Sequence, residues 1–434
     1  MKNLFGTDGI RNKIHHGPLT TENLTQLGHA IGQWAVNNLE KPIKILIGYD
    51  TRSSCSLILE ALSNSILQYP VELFNGKIIP TPVICKLVKE EEFDLGIIIS
   101  ASHNLAEYNG IKIVKKHAKI SALAESAITQ LYQNEVFNNH MPKNTMQEYD
   151  QANQMYEIFI TAWFEASFLQ DKKIVLDCAH GATYKLAPKI FEHFGAQVIT
   201  INNHPDGHNI NLHCGSTCPQ NVTTAVLTHQ ADWGVSFDGD GDRVIIVDKN
   251  GHNYDGDEIL AVLTQHPLFK KSSVVGTVMS NQGLGQYLQE KNKIFFRAAV
   301  GDKNVFQMME QYHAMLGGEP SGHIIVEPFS YSGDGIFTSL LFIDTIIKEH
   351  IHIPAFTKFA QASTHIDITV QHDLKDEPYA TIIKKYETQL NRGRLVIRYS
   401  GTEPILRIMV ESDTQETATT IAYQLKHELE PLLS

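Results

Sequence analysis

Residues 233–248 read Trp233-Gly-Val-Ser-Phe237-Asp238-Gly-Asp240-Gly-Asp242-Arg243-Val244-Ile-Ile-Val247-Asp248. A short apolar run enters a loop of three carboxylates and a second such run leaves it, the pattern of two strands joined by a polar turn. The same texture recurs on either side. Runs at 43–49, 95–100, 174–177, 234–237, 274–278 and 314–316 have the composition of buried strands, and stretches at 24–39, 57–69, 184–194, 282–290 and 305–312 have helical spacing. Strands alternating with helices predict an α/β fold with mixed, mostly parallel sheets. In three consecutive stretches, near 40–100, 173–238 and 273–318, the unit runs into a loop rich in Gly, Ser, His or Asp, the place where open α/β sheets put their ligands.

Beyond Pro354 the pattern changes: a strand at 365–370, a helix at 379–390, two strands flanking Ser400 and a terminal helix at 414–432 predict a small α+β domain. The 434 residues, at about 150 per domain, give an expectation of three domains, and this last unit raises it to four. The expected boundaries are 1–150, 151–251, 252–354 and 355–434, the first and third breaks falling in the polar stretch 138–147 and at 350–354.

With 36 Lys+Arg against 48 Asp+Glu the net charge is -12, so there is no global basic footprint for nucleic acid or an anionic membrane, and any anionic ligand needs a local cationic cluster. No apolar run approaches the ~20 residues of a membrane span, and the longest, 339–347, is interrupted by Asp344. Gly6, Asp8 and Gly9 leave no signal-peptide core, and five cysteines at irregular spacing point to reduced thiols, so a cytoplasmic protein is expected. Cys214 and Cys218, with His208 and His213 nearby, match no usual zinc spacing.

Three alternating carboxylates separated by glycines, Asp238, Asp240 and Asp242, can converge hard oxygens on one divalent cation, with Mg²⁺ the natural guest. A calcium EF-hand would need Gly where Arg243 stands and Glu where Lys249 stands. An acidic turn between strands is the plainer alternative. Ser100-Ala-Ser102-His103-Asn104 places a serine where a buried strand emerges; it is not a G-x-S-x-G elbow, and as a nucleophile it needs activation, while as a plain turn it would be a capping element. Arg398-Tyr399-Ser400-Gly401-Thr402-Glu403-Pro404, with Arg407 beyond, offers hydroxyls, amide N–H groups and guanidinium forks for a phosphate, or else an ordinary hairpin turn. Gly317-Gly-Glu319-Pro320-Ser321-Gly322-His323 could grip sugar hydroxyls. Near the N-terminus, Gly6-Thr-Asp-Gly9-Ile-Arg11 and Gly48-Tyr-Asp-Thr-Arg52-Ser53 add two arginines, and neither a P-loop nor a G-x-G-x-x-G after a strand is present.

Taken together and in this order, these loops resemble the α-D-phosphohexomutase superfamily of phosphoglucomutases and phosphomannomutases across the whole chain. Asn209-Ile-Asn, Cys214-Gly-Ser-Thr217, Gly276-Thr-Val-Met-Ser-Asn281, Val300-Gly-Asp302 and Ser332-Gly-Asp-Gly335 are similar to its bacterial phosphoglucosamine-mutase branch. The resemblance implies four domains around one central cleft, each giving a loop. Ser102 would be the phosphoserine, and Asp238, Asp240 and Asp242 the ligands of one Mg²⁺ per chain, completed by a Ser102 phosphate oxygen. It implies catalytic roles for Ser102, His103, Lys112 and Arg243, with Lys112 accepting a proton, or positioning the acceptor, if the cleft lowers its pKa. Glu319, Ser321 and His323 would bind the sugar, and Arg11, Arg398, Ser400, Gly401, Thr402 and Arg407 the phosphates.

The implied reaction exchanges glucosamine 6-phosphate with glucosamine 1-phosphate through a hexose bisphosphate that is both intermediate and activator, feeding UDP-N-acetylglucosamine and cell-wall precursor synthesis. Pro320 stands in the loop that varies with sugar specificity, so a phosphomannomutase or phosphoglucomutase is the alternative, followed by a metal-dependent sugar phosphatase. The expected partner is a small sugar phosphate, with no nucleic acid or membrane, and the chain a monomer or homodimer.

Overall fold

The computed structural model describes residues 4–6, 8–90, 92–116, 118–134, 137, 144–400 and 404–433. In the first sheet the strand Leu95–Ile99 lies between Ile43–Tyr49, parallel to it, and Tyr108–Lys115, antiparallel to it. Val71–Ile78 and Gln147–Glu148 extend the parallel side, and Ile10–Lys13 and Ala118–Lys119 pair with Tyr108–Lys115. All five residues of Leu95–Ile99 are buried, as expected of a strand covered on both faces. Its side chains divide by the period of two: Ile97 and Ile99 join the core beneath the helices Thr21–Asn38 and Cys55–Ile66, while Ile98 joins the opposite core, with Val83 and Ile84 of the helix Thr81–Lys89.

The second sheet centres on Lys173–Asp177, flanked in parallel by Gln197–Ile201 and Trp233–Phe237; Val244–Asp248 returns antiparallel beside the latter, and Asn253–Tyr254 closes the edge. The third repeats the scheme, with Val274–Thr277 between Phe295–Ala298 and Leu316–Gly318, and Ile324–Val326 returning antiparallel. The fourth has three antiparallel strands, Ala360–Asp367, Ile405–Ser412 and Arg394–Tyr399. The α/β architecture with mixed sheets is the one expected. Each sheet ends one strand in a short loop that leads straight into an antiparallel return, and these loops hold Ser102, the three aspartates, Glu319 with Ser321, and Ser400 respectively.

One apolar core runs continuously from Ile98 through Phe237 to Leu316, so the first three sheets share packing, whereas the fourth has its own core around Ile408 and Leu425. Element ends differ from the sequence reading where glycines intervene. The strand expected at 314–316 is found at Leu316–Gly318, because Gly317 continues it: a Cβ there would meet Met309 Sδ at 2.5 Å. The strand expected at 365–370 is Ala360–Asp367, and no helix among the described residues is long and apolar enough to cross a membrane.

Candidate active site

The loop after Trp233–Phe237 turns through Gly241 at φ 75°, and Asp238, Asp240 and Asp242 are all buried. One carboxylate oxygen from each lies within 4.8 Å of the others, the one grouping of this kind among the described residues; the cysteines form none. The loop is docked on the start of the helix Thr81–Lys89, where the Thr81 hydroxyl donates to Asp240 Oδ2 at 2.7 Å and the Thr81 N–H to the Asp240 carbonyl at 2.9 Å. Lys112 Nζ donates to Asp240 Oδ2 and Asp242 Oδ2, both at 3.0 Å, and lies 3.1 Å from Asp8 Oδ2. The other oxygens of Asp240 and Asp242 are buried with no hydrogen-bond partner. Burial, and after it Asp242 and Asp240, push the Asp238 carboxyl well above the usual range; burial is also the largest influence on Asp242, but Lys112, His323 and Arg243 together outweigh it and hold that group well below. Three buried carboxylates with converging oxygens, one on Asp240 and one on Asp242 without a hydrogen bond, fit a divalent cation.

Ser102 emerges from Leu95–Ile99 in the left-handed region, φ 52°, fully buried. Its Oγ donates to Asp238 Oδ2 at 2.6 Å and sits 3.4 Å from His103 Nδ1. The two loops touch through backbone: a Cβ on Gly239 would meet the Ser102 carbonyl at 2.7 Å. Burial, then Arg243 and Arg11, push the His103 imidazole down to about 3, so the ring is neutral. The Arg243 N–H donates to Asp238 Oδ1 at 3.2 Å, and its buried Nε has no hydrogen-bond partner. Arg11 donates to Asp8 Oδ2 at 2.9 Å and Asn104 Oδ1 at 3.0 Å.

The condition attached to Lys112, a lowered pKa, is not met in this arrangement. Burial alone would lower its pKa, but the attraction of Asp240, Asp242 and Asp8 outweighs burial and holds it well above the ordinary lysine value. In this arrangement Lys112 is an ammonium held by three carboxylates.

Above this floor lies a cavity of about 380 Å³ lined by Arg11, His103, Arg243, Glu319, Ser321 and His323, among others. His323 is fixed from behind, its Nε2 accepting the Gly333 N–H at 2.9 Å, and Glu319 Oε1 accepts the Gly301 N–H at 3.0 Å. A second cavity of about 500 Å³ holds Arg398 and Arg407, and the two share Met279 as a lining residue. Arg398 and Arg407 are direct cross-strand partners, and burial, then Arg407, lowers the Arg398 pKa. Ser400 is buried and donates its N–H to the Ile405 carbonyl at 2.9 Å. Gly401 and Thr402, expected with it, lie outside the described residues.

The sequence reading missed Lys119, whose Nζ lies 2.5 Å from Asp8 Oδ1 and also pairs with Asp302, tying the first sheet to the third across the floor. Asp8 and Asp302 stood in stretches already singled out, but nothing local marks Lys119. Arg52, also singled out, proves to lie behind the serine loop.

Four family models match the chain in order: phosphoglucomutase/phosphomannomutase α/β/α domain I over residues 2–139, domain II over 154–251, domain III over 255–358 and the C-terminal domain over 371–428. Among curated relatives, a phosphoglucosamine mutase of Acinetobacter baylyi is 39% identical over 97% of each chain, and one of Caldicellulosiruptor bescii 36% identical over 100% of each. Among solved structures, a phosphoglucomutase/phosphomannomutase family protein of Burkholderia thailandensis superimposes with a TM-score of 0.79 at 20% identity, over 99% of this chain and 98% of that one. The N-acetylphosphoglucosamine mutase of Aspergillus fumigatus, in complex with GlcNAc-6P and magnesium, does so with 0.69 at 15%, over 99% and 96%. With all four models matched in sequence order and full-length relatives above one-third identity, the chain belongs to the phosphoglucomutase/phosphomannomutase family.

Proposed function

We propose that this chain interconverts glucosamine 6-phosphate and glucosamine 1-phosphate by way of a phosphorylated Ser102 and a bisphosphorylated hexosamine. The observation that carries the reading is the contact of Ser102 Oγ with Asp238 at 2.6 Å, beneath a cavity walled by Arg11 and Arg243 and beside a second one with Arg398 and Arg407. In the first half-reaction the bond between Ser102 Oγ and phosphorus breaks as the free sugar hydroxyl bonds to that phosphorus. The sugar then turns end for end, and its other phosphoryl group returns to Ser102 Oγ.

Asp238, Asp240 and Asp242 would hold Mg²⁺, which when bound spreads the negative charge of the transferring group. Arg243 adds positive charge on the cavity side, and Lys112 holds Asp240 and Asp242 in place through its two hydrogen bonds. His103, beside Ser102 Oγ, is assigned the hydroxyl proton; burial depresses the ring most, and a phosphate dianion facing Arg11 and Arg243 offsets the two charges that depress it further. Glu319 and Ser321 meet the sugar hydroxyls, and the Arg398–Arg407 pair holds whichever phosphate is distal. Five unpaired cysteines support a cytoplasmic setting.

The test is ³¹P NMR of the protein with catalytic glucose 1,6-bisphosphate and Mg²⁺, comparing kcat/KM for the 1-phosphates of glucosamine, glucose and mannose. Glucosamine should be preferred. A preference for glucose or mannose overturns the substrate, inorganic phosphate released as fast as substrate is lost overturns the mutase reading, and full activity in Ser102→Ala overturns the phosphoserine.

A further inference from the structure

Arg52 belongs to none of the roles above, yet every N–H of its guanidinium is used. Nε donates to Asp50 Oδ2 at 2.9 Å, and the ion pair has no solvent exposure on either side chain. Nη1 donates to the carbonyls of Leu105 at 2.5 Å and Tyr108 at 3.0 Å, and Nη2 to those of Ser102 at 3.0 Å and Asn104 at 2.8 Å. Five donors meet five acceptors, and four of these are main-chain oxygens between Ser102 and Tyr108. Asp50 completes the frame from the other side: its Oδ2 also accepts the Ser100 hydroxyl at 2.5 Å, and Ser100 Oγ in turn accepts the Ser102 N–H at 2.8 Å. Both peptide groups that flank Ser102 are therefore held by one buried pair, the N–H through Ser100 and Asp50, the C=O directly by Arg52. Asn211 adds a second donor to the carbonyls of Ser102 and Asn104, at 2.9 and 3.0 Å.

Ser102 has a backbone conformation that a residue with a Cβ adopts only when its surroundings impose it. Its Oγ reaches Asp238 from that conformation. We infer that Arg52 is a positioning residue for phosphoryl transfer: by clamping the carbonyls of Ser102, Asn104, Leu105 and Tyr108 it holds Ser102 left-handed and its oxygen in line with the aspartate cluster. The inference rests on the reading of Ser102 as the phosphoryl carrier. Arg52 lines neither cavity of the site, so it acts on turnover and not on sugar binding. Lysine cannot replace it, because three donors on one nitrogen cannot span the four carbonyls and Asp50.

The experiment compares wild type, Arg52→Lys, Asn211→Ala and Ser102→Ala, each first incubated with glucose 1,6-bisphosphate and Mg²⁺. Readouts are kcat and KM for glucosamine 1-phosphate, Mg²⁺ affinity by calorimetry, and thermal midpoint. Displacing a reacting atom by about 1 Å costs about 10²-fold in rate, and that is the expected fall in kcat for Arg52→Lys, with KM within about threefold of wild type. Mg²⁺ affinity, measured on the dephosphorylated protein, should be unchanged, since the three aspartates are intact. Asn211→Ala, which takes one donor from the same two carbonyls of Ser102 and Asn104, should lose about tenfold in kcat and keep its KM, and an unchanged kcat there overturns the inference if Arg52→Lys does not fold. A purely structural role would lower the thermal midpoint of both variants and leave kcat alone below it; that result, or a KM effect without a kcat effect, overturns the inference. Activity in Ser102→Ala would overturn the reading of the phosphoserine instead.

Discussion

Replacing Lys112 by methionine tests how the floor of the site is held together. Methionine keeps nearly the same volume and reach, so packing is preserved and the charge alone is removed. The ammonium it replaces lies 3.0, 3.0 and 3.1 Å from Asp240, Asp242 and Asp8 and is fully buried. Removing one partner of a buried charge pair costs about 3–5 kcal/mol, because the remaining charge stays in a poor solvent. At about 1.4 kcal/mol per factor of ten, a loss of that size falling on the transition state corresponds to a drop of roughly 10²- to 4 × 10³-fold in turnover. Assayed by ³¹P NMR at saturating Mg²⁺, kcat should fall by about that factor while KM for glucosamine 1-phosphate stays within about threefold, since Lys112 faces the aspartates and not the cavity. In EDTA the variant should unfold at lower denaturant than wild type, and Mg²⁺ should narrow the gap by supplying the missing positive charge. The sign of the pH dependence follows from the raised lysine pKa: its stabilisation is complete below the unfolded value of about 10.5 and is lost only as pH rises through the higher folded value, so the stability gap should be flat from about pH 6 to 9. A kcat within threefold of wild type would refute the role, and an acid limb in the wild-type pH profile that vanishes in the variant would show that Lys112 carries the proton after all.

Asp240→Asn should abolish Mg²⁺ binding measured by calorimetry and leave less than about 1% of turnover, since one developing-charge stabiliser is worth about 10²–10³-fold. Arg407→Ala should raise KM for glucosamine 1-phosphate by about tenfold or more, the worth of one charge-assisted contact at about 1.5–3 kcal/mol. Burial, with Asp255 close by, pushes Asp257 up to about 7, so the folded protein favours the neutral acid and loses stability as pH rises from about 4 through 7. Asp257→Asn should therefore melt higher than wild type at pH 8.5 and lose that advantage at pH 5.

What the sequence disclosed were features whose chemistry is local. Three carboxylates alternating with glycines announce a cation site without any partner in view, and Ser102 was found because a fully apolar strand ends beside it. The return strand Tyr108–Lys115 was not read as a strand, because a lysine stands inside it between Ile111 and Ile113. That lysine is neutralised by carboxylates 128 and 130 positions away, which no local window contains. Lys119 is hidden for the same reason, its partners being Asp8 and Asp302. Arg52 was flagged by its setting, but its purpose depends on carbonyls, which every residue carries and no sequence pattern distinguishes.

The placement of charge explains how one site serves two chemically different ends of the same sugar. At the floor, positive and negative groups alternate in contact: Lys112 and Lys119 are each bracketed by carboxylates, and so contribute little net field to the cavity. Arg398 and Arg407 are arranged otherwise. They stand opposite one another on adjacent strands, a pairing of like charges that opposes folding, and Arg398 Nε has no hydrogen-bond partner at all. Such a pair is relieved when an anion arrives, and relief of repulsion depends on the charge of a phosphate and hardly on the carbon that bears it. A mutase needs that indifference, because the distal phosphate is on carbon 1 in one half-reaction and on carbon 6 in the other. On the function proposed above, discrimination between sugars falls between the two ends, at Glu319 and Ser321, the residues assigned to the hydroxyls. Exchanging Pro320 between those two residues should accordingly change the ratio of kcat/KM for glucosamine and glucose 1-phosphates and leave the bisphosphate affinity unchanged, whereas parallel changes in all three would place sugar selection elsewhere in the cleft.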